Sequence, residues 1–323
     1  MRHIITGGSG FTGKVLAKNL IQKGQKVVNF DLKNYDDEYL KNNTEYVQGD
    51  IRSLNDIQKL NLTPDDIVYH LAARQFADAV PKKGRKEWFF EVNVQGTKNI
   101  LEEMDKAGTT KMVFFSTDMT YGVPDTCPVS TNHPQRPLGP YGESKVAAEQ
   151  LIRSYPKLNA TIFRPRLITG AGRLGILGKL FKLISMGLPV PMIGNGSNRY
   201  QMVSVEDCAK AAEIAMEKGF PRKAYNLGSA NPPTTKELLQ AIVNHAGSKS
   251  IVISTPAGAL KLVLSLLDKL GLTLLYPEQF GIADKNILLD TSETINELGW
   301  APSKSDIDAM CEAYDNFRSL ETK

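Results

Sequence analysis

Thr6-Gly7-Gly8-Ser9-Gly10-Phe11-Thr12-Gly13 constrains the fold of this 323-residue chain more than any other stretch. It directly follows a strand-like run, His3–Thr6, and opens a helix-compatible one, Gly13–Lys23. It reads as G-x-G-x-x-G from Gly8, or as a glycine at every third residue from Gly7. Either way the turn is tight, and no Cβ keeps the backbone from approaching a bound group. Free N–H groups and the positive dipole end of the next helix suit a pyrophosphate there. A plain strand–helix turn would also explain a glycine cluster alone; the flanking strand and helix supply the context that a dinucleotide site requires.

The rest of the first half repeats that alternation. Candidate strands are Lys26–Asp31, Glu45–Gln48, Ile67–Leu71, Lys111–Thr117 and Ala160–Arg164, separated by helical patterns at Leu54–Lys59, Trp88–Lys106 and Tyr141–Tyr155. Such alternation predicts an α/β fold, a doubly wound parallel sheet of Rossmann type. After Gly170, glycine and proline become frequent, and a helix (Val205–Lys218) and a strand (Ala224–Gly228) follow. The tail from Thr234 reads as helix, short strand, helix, strand and a last helix. We expect a dinucleotide-binding domain over 1–166 and a smaller C-terminal α/β substrate-binding lobe over 167–323, from which the chain returns to the first domain.

With 41% hydrophobic and 23% charged residues the chain is globular, and a net charge of +4 with scattered basic residues excludes a nucleic-acid partner. Cys127, Cys208 and Cys311 show no metal-ligand spacing and are expected as buried small apolar side chains. The chain starts on a strand without a signal-like apolar run, which points to the cytoplasm. Ala257–Tyr276 (AGALKLVLSLLDKLGLTLLY) is apolar, but Lys261, Asp268 and Lys269 interrupt it and Gly271 should end its helix, so no membrane span is expected. Its helical leucine spacing predicts packing on the protein's own core; contact with a membrane surface or a partner is the alternative.

Asp31 ends the second strand about twenty residues after the glycines, where a carboxylate accepts the adenosine ribose hydroxyls and repels a 2′-phosphate, favouring NAD over NADP. Lys33 lies close enough to weaken that preference. Asp50 follows the third strand and is placed either to meet the adenine amino group or to cap the next helix. Ile51 comes next, and His70-Leu71-Ala72-Ala73 ends the fourth strand with small residues that leave room for the cofactor, His70 being structural. Tyr141 and Lys145 are four apart on one helix face. A phenol titrates near pH 10, and a neighbouring ammonium stabilises the phenolate, so the pair can move a proton at neutral pH.

These residues resemble the extended short-chain dehydrogenase/reductase family, particularly its nucleotide-sugar epimerase/dehydratase branch. The resemblance runs through TGGSGFTG (Thr6–Gly13), Asp31, Gly49-Asp50, HLAA (His70–Ala73), NVQGTKN (Asn93–Asn99), FFSTDMTYG (Phe114–Gly122) and YGESK (Tyr141–Lys145). It continues through VSVEDCAKA (Val203–Ala211), YNLGS (Tyr225–Ser229) and DTSETINELGW (Asp290–Trp300). It implies that Thr117 joins Tyr141 and Lys145 as a third catalytic residue, with Tyr141 and Lys145 also touching NAD. Gly7, Gly10, Phe11, Thr12, Gly13, Asp31, Asp50, Ile51, Leu71, Ala72, Ala73 and Asn93 complete the cofactor set, Asn93 as the family's structural asparagine. It also implies a homodimer formed through the helices containing Gly96–Met104 and Tyr141–Ser154.

Four departures narrow the function. Met119 stands where dehydratases carry a glutamate, and a thioether exchanges no proton, so dehydration is disfavoured. Leu167 replaces the asparagine that members acting on nucleoside diphosphate sugars place before the glycine matching Gly170. Tyr200 falls where they place an arginine, and a second diphosphate-binding arginine nearer the carboxyl terminus has no counterpart. Arg166, Arg173 and Arg199 are the candidate diphosphate clamps, or else ordinary surface charges. The expected function is an NAD-dependent nucleotide-sugar epimerase of the 4-epimerase type, working by transient hydride transfer through a keto-sugar. A nucleotide-sugar reductase and a 3-hydroxysteroid or lipid-type dehydrogenase are the enzymatic rivals, the second drawing on Pro165, Ile193–Gly196 and the apolar segment. A non-catalytic NAD-sensing protein is the rival from another class; such proteins lack the tyrosine–lysine pair.

Overall fold

The computed structural model describes residues 1–172 and 175–321. Its strands are β1 (His3–Thr6), β2 (Val27–Asp31), β3 (Glu45–Gln48), β4 (Ile67–His70), β5 (Lys111–Phe115), β6 (Asn159–Pro165), β7 (Leu167–Thr169), β8 (Val190–Ile193), β9 (Met202–Ser204), β10 (Ala224–Leu227) and β11 (Val252–Thr255). Its α-helices are α1 (Phe11–Gln22), α2 (Glu38–Asn43), α3 (Leu54–Gln58), α4 (Arg85–Phe90), α5 (Thr97–Ala107), α6 (Pro140–Arg153), α7 (Gly175–Ser185), α8 (Val205–Glu217), α9 (Thr235–His245), α10 (Ala257–Lys269), α11 (Pro277–Phe280) and α12 (Asp306–Glu321).

Seven strands form one sheet in the order β3-β2-β1-β4-β5-β6-β10, and every pairing in it is parallel. Parallel strands need crossovers that cover both faces, so β1 and β4 are buried at every position. Alternation sends Ile5 to one face, with Leu16, Tyr69 and Trp300, and Ile4 to the other, with Phe30, Ile100 and Met112. The strand order reverses between β1 and β4, and a crevice opens at their carboxyl ends.

β10 pairs with β6 at the sheet edge, so the chain does return to the sheet late in the sequence. A separate apolar cluster, including Phe181, Ile184, Val190, Ile242 and Tyr314, holds α7, α9, α12 and the β8–β11 pair together.

Four expectations are corrected. The helix expected over Trp88–Lys106 is two helices joined by a π-helical turn, Glu91–Gly96. There the Thr97 hydroxyl donates to the Asn93 carbonyl (2.8 Å), and Gly96 packs so tightly that a Cβ would lie 2.5 Å from Ile51 Cδ1. The late strand is absent: Ile287 and Leu289 each make one isolated bridge, to Tyr200 and Val129, so no ladder propagates. Of the cysteines only Cys208 is buried, while Cys127 is exposed. α10 forms, and Gly271 follows it at φ 74°, but the helix does not bury its leucines in the core. Only Leu264 is buried, and Leu262, Leu266 and Leu270 face outward. Among the described residues no helix is long and apolar enough to cross a membrane.

Candidate active site

The glycine turn forms the floor of the crevice. Gly7 sits at φ 71°, and a Cβ on it would lie 2.7 Å from the Ala72 backbone nitrogen; one on Gly13 would lie 2.5 Å from the Gly8 carbonyl oxygen. No side chain caps α1 at Gly10, and a helix start without a side-chain cap suits an anion. A cavity of about 680 Å³ opens above, lined by Gly7, Gly10, Phe11, Thr12, Gly13, Asp31, Asp50, Ile51, Leu71, Ala72, Ala73, Tyr141 and Lys145. An uncapped helix start, a turn that tolerates no Cβ and a carboxylate at the far end fit a dinucleotide.

Asp31 ends β2 and accepts from the Ser9 backbone N–H (3.0 Å) and the Lys33 backbone N–H (3.3 Å), while burial pushes its carboxyl up from the ordinary value. Asp50 does not cap α3; Ser53 does, accepting from Asp56 N–H. Asp50 instead holds Arg52, whose side chain keeps the carboxyl below its usual range. Asn93 is the structural asparagine of the expected cofactor set. It is buried outside the cavity lining, accepts from Arg74 N–H (2.8 Å) and donates to Ser144 Oγ (3.0 Å), which ties the loop after β4 to α6.

Tyr141 and Lys145 lie on α6, which starts with Pro140 at its first position. The Tyr141 ring packs against Phe76 (5.2 Å between centroids) and Phe89 (5.5 Å). Lys145 is buried, donates to the Phe115 carbonyl (2.8 Å) and lies over the Phe114 ring. Burial pulls its pKa down to about 7, against the opposing pull of Glu149. Thr117 follows β5; its hydroxyl accepts from Met119 N–H (3.2 Å). His70 is structural as expected, bonded to Thr6 (2.7 Å) and Thr97 (2.9 Å), with burial and then Lys145 lowering its pKa to about 3.

A smaller cavity of about 310 Å³ adjoins the first, and Ser116, Tyr141, Gln75 and Ile168 line both. Its wall includes Thr117, Asp118, Met119, Arg166, Leu167, Tyr200, Thr273, Leu274 and Tyr276. Arg166 is buried and paired with the buried Asp118, and its guanidinium lies 4.0 Å from the Tyr200 ring centroid. Its Nε and Nη2 are buried without a hydrogen-bond partner among the described residues. Burial pushes the Asp118 carboxyl up while Arg166 pulls it down.

An NAD-dependent epimerase/dehydratase family model matches residues 3–228. The chain belongs to that family. Its cofactor is NAD, and it is an enzyme of the extended short-chain dehydrogenase/reductase type. The uncharacterized protein y4nG of Sinorhizobium fredii is 34% identical over 320 residues, 98% of this chain and 78% of that one. A UDP-glucose 4-epimerase of Streptomyces lividans is 26% identical over 342 residues, 97% of this chain and 95% of that one. Among solved structures, the Thermus thermophilus UDP-glucose 4-epimerase in complex with NAD aligns at TM-score 0.75 and 25% identity, covering 98% of this chain and 99% of that one. The Thermotoga maritima UDP-glucose 4-epimerase with UDP-glucose shares the fold at TM-score 0.80 and 24% identity, covering 99% of this chain and all of that one.

Of the two candidate clamp arginines of this family member among the described residues, Arg166 lines the smaller cavity. Arg199 is exposed and lines neither cavity. Residues 199 and 200 bridge to different partners in extended backbone, so when Tyr200 faces the cavity its neighbour faces away. Arg173 lies outside the described residues. Sequence reasoning missed Arg74, which follows Ala73 into the larger cavity, donates to Glu91 (2.7 Å) and stacks its guanidinium on Trp88. It also missed the buried Glu149–Arg164 pair that accepts from Ser116 Oγ (2.6 Å). The position of Arg74 directly after HLAA was a usable signal; a buried ion pair between a helix and a strand leaves none.

Proposed function

We propose that this enzyme is a nucleotide-sugar epimerase of the 4-epimerase type. The observation that carries the reading is the position of Tyr141 in the wall common to a dinucleotide-sized cavity and a smaller one that adjoins it, into which Thr117 and Arg166 also reach. When bound, NAD supplies a hydride acceptor that also returns the hydride. Tyr141 as the phenolate takes the proton from a sugar hydroxyl, becoming the phenol, and gives it back, with Thr117 hydrogen-bonding the same oxygen. Lys145, in the same helix and cavity wall, adds positive charge that favours the phenolate. Asp118 is held in its pair with Arg166 and Met119 carries no proton, so neither drives water elimination.

Arg166 lines the smaller cavity as the guanidinium that meets the diphosphate, and the part of the chain after it supplies Leu167, Tyr200 and Thr273 to the same cavity, the role of a substrate lobe over 167–323. Copies of the chain pair through α5 and α6 into a homodimer, in the cytoplasm. Leu262 and Leu266 face away from the cavity, so the apolar wall that a sterol dehydrogenase would draw from them is missing.

Incubating the NAD-loaded protein with UDP-sugars and analysing the products tests the reading. The expected result is interconversion of two stereoisomers with no net change in NADH absorbance. Net NADH consumption would point to a reductase; protection from heating by hydroxysteroids but not by nucleoside diphosphates would overturn the nucleotide-sugar assignment.

A further inference from the structure

The outer face of α10 and the turn after it form a surface feature that the active site does not explain. Leu262 is 73% exposed, Leu266 57% and Leu270 64%, spaced four apart along one stripe of the helix. Leu272 (61%) and Leu274 (53%) extend the patch past Gly271. Leucines scattered singly on a surface mean nothing, but a continuous stripe of this kind marks a contact face.

The charges around the patch identify what it meets. Lys82 crosses the turn: a Cβ on Gly271 would lie 2.7 Å from its ammonium nitrogen. Lys83 and Lys86 follow it in the chain and Lys269 ends α10, all three exposed. The acidic residue at this end of α10, Asp268, is already neutralised by a two-bond pair with Arg85 (2.7 and 3.0 Å), and Lys86 pairs with Glu143. Glu87 is also exposed, so Lys82, Lys83, Arg85, Lys86 and Lys269 stand against Glu87, Glu143 and Asp268, a basic excess around an apolar centre. A leucine face that inserts shallowly, flanked by lysines that meet anionic headgroups, is the physical pattern of a helix lying in a membrane interface.

We propose that this face docks the enzyme on an anionic lipid bilayer surface, with α10 lying in the headgroup plane. The same segment continues into Thr273, Leu274 and Tyr276, which line the smaller active-site cavity, and Tyr276 stacks on Phe76 (4.8 Å), which packs on Tyr141. Docking thus brings the wall of the substrate cavity to the lipid surface. This contact goes beyond the epimerase reading and does not depend on it.

The test is co-sedimentation of the NAD-loaded protein with phosphatidylcholine vesicles with and without phosphatidylglycerol. Binding is expected only to the anionic vesicles, weakened by added salt and by about fivefold for each of Lys83→Glu and Lys269→Glu. The double variant Leu262→Asp/Leu266→Asp should bind about a hundredfold more weakly, two buried leucines being lost. Because both side chains already face solvent, this variant should keep its melting temperature and its NAD affinity, so that a loss of vesicle binding is not a loss of fold. Absence of sedimentation, or equal sedimentation with pure phosphatidylcholine, overturns the proposal. So does light scattering in which the double variant halves the particle mass of a protein that ignores vesicles, since the patch would then join copies of the chain.

Discussion

Lys145→Met is expected to abolish turnover and to remove a pH dependence of folding stability that this buried amine imposes. The amine ionises at about 7 in the fold and near 10.5 in the unfolded chain, because burial among Phe114, Phe115 and α6 disfavours the ammonium. Between those values the unfolded chain binds more protons than the folded one, so raising the pH disfavours unfolding. The contribution is fully present above the unfolded value and is lost as pH falls through the folded one. One proton is worth about 1.4 kcal/mol per pH unit, so wild-type stability should gain about 2 kcal/mol from this residue between about pH 7 and about pH 9. Methionine is of similar length and does not titrate. The lost bond to the Phe115 carbonyl offsets its whole profile by a constant and leaves the slope alone. Urea unfolding of nucleotide-free protein at both pH values checks this: the difference in stability between variant and wild type should change by about 2 kcal/mol. Parallel profiles would refute the claim that Lys145 is held near neutrality by burial.

Tyr141→Phe should lower kcat by about a hundredfold or more, the usual scale for a lost general acid–base group, with NAD binding and melting temperature unchanged. Near-normal kcat would end the assignment. Asp31→Ala should weaken NAD binding and relax discrimination against NADP, as read by calorimetry with both dinucleotides; a wild-type preference for NADP would contradict the role given to Asp31. Arg166→Met should weaken UDP-sugar binding by about ten- to a hundredfold, since Arg166 lines the smaller cavity, with NAD affinity unchanged. Arg199→Ala should leave both affinities as they are, and a loss of UDP-sugar binding in that variant would show that the exposed arginine reaches the ligand.

What the sequence by itself determined is the part of the protein whose chemistry is local. Glycines every third residue can be read because a turn that excludes Cβ admits little else, and Tyr141 and Lys145 can be paired because helical spacing places them on one face. The alternation of apolar runs and helices was enough for the parallel sheet, since strands buried on both faces leave continuous apolar runs. Tertiary structure decided what depends on direction or on distant partners. Arg166 and Arg199 look alike in the sequence, yet Arg166 is buried against Asp118 and Arg199 faces outward, because one residue along extended backbone reverses the side a side chain faces. Asn93 and the Glu149–Arg164 pair act through contacts with residues far along the chain, which spacing cannot reveal. The leucines of α10 have the period of a buried helix, but periodicity says only that a face is apolar. Which surface covers that face depends on what the rest of the chain brings against it, and here the chain covers Leu264 and leaves Leu262, Leu266 and Leu270 open.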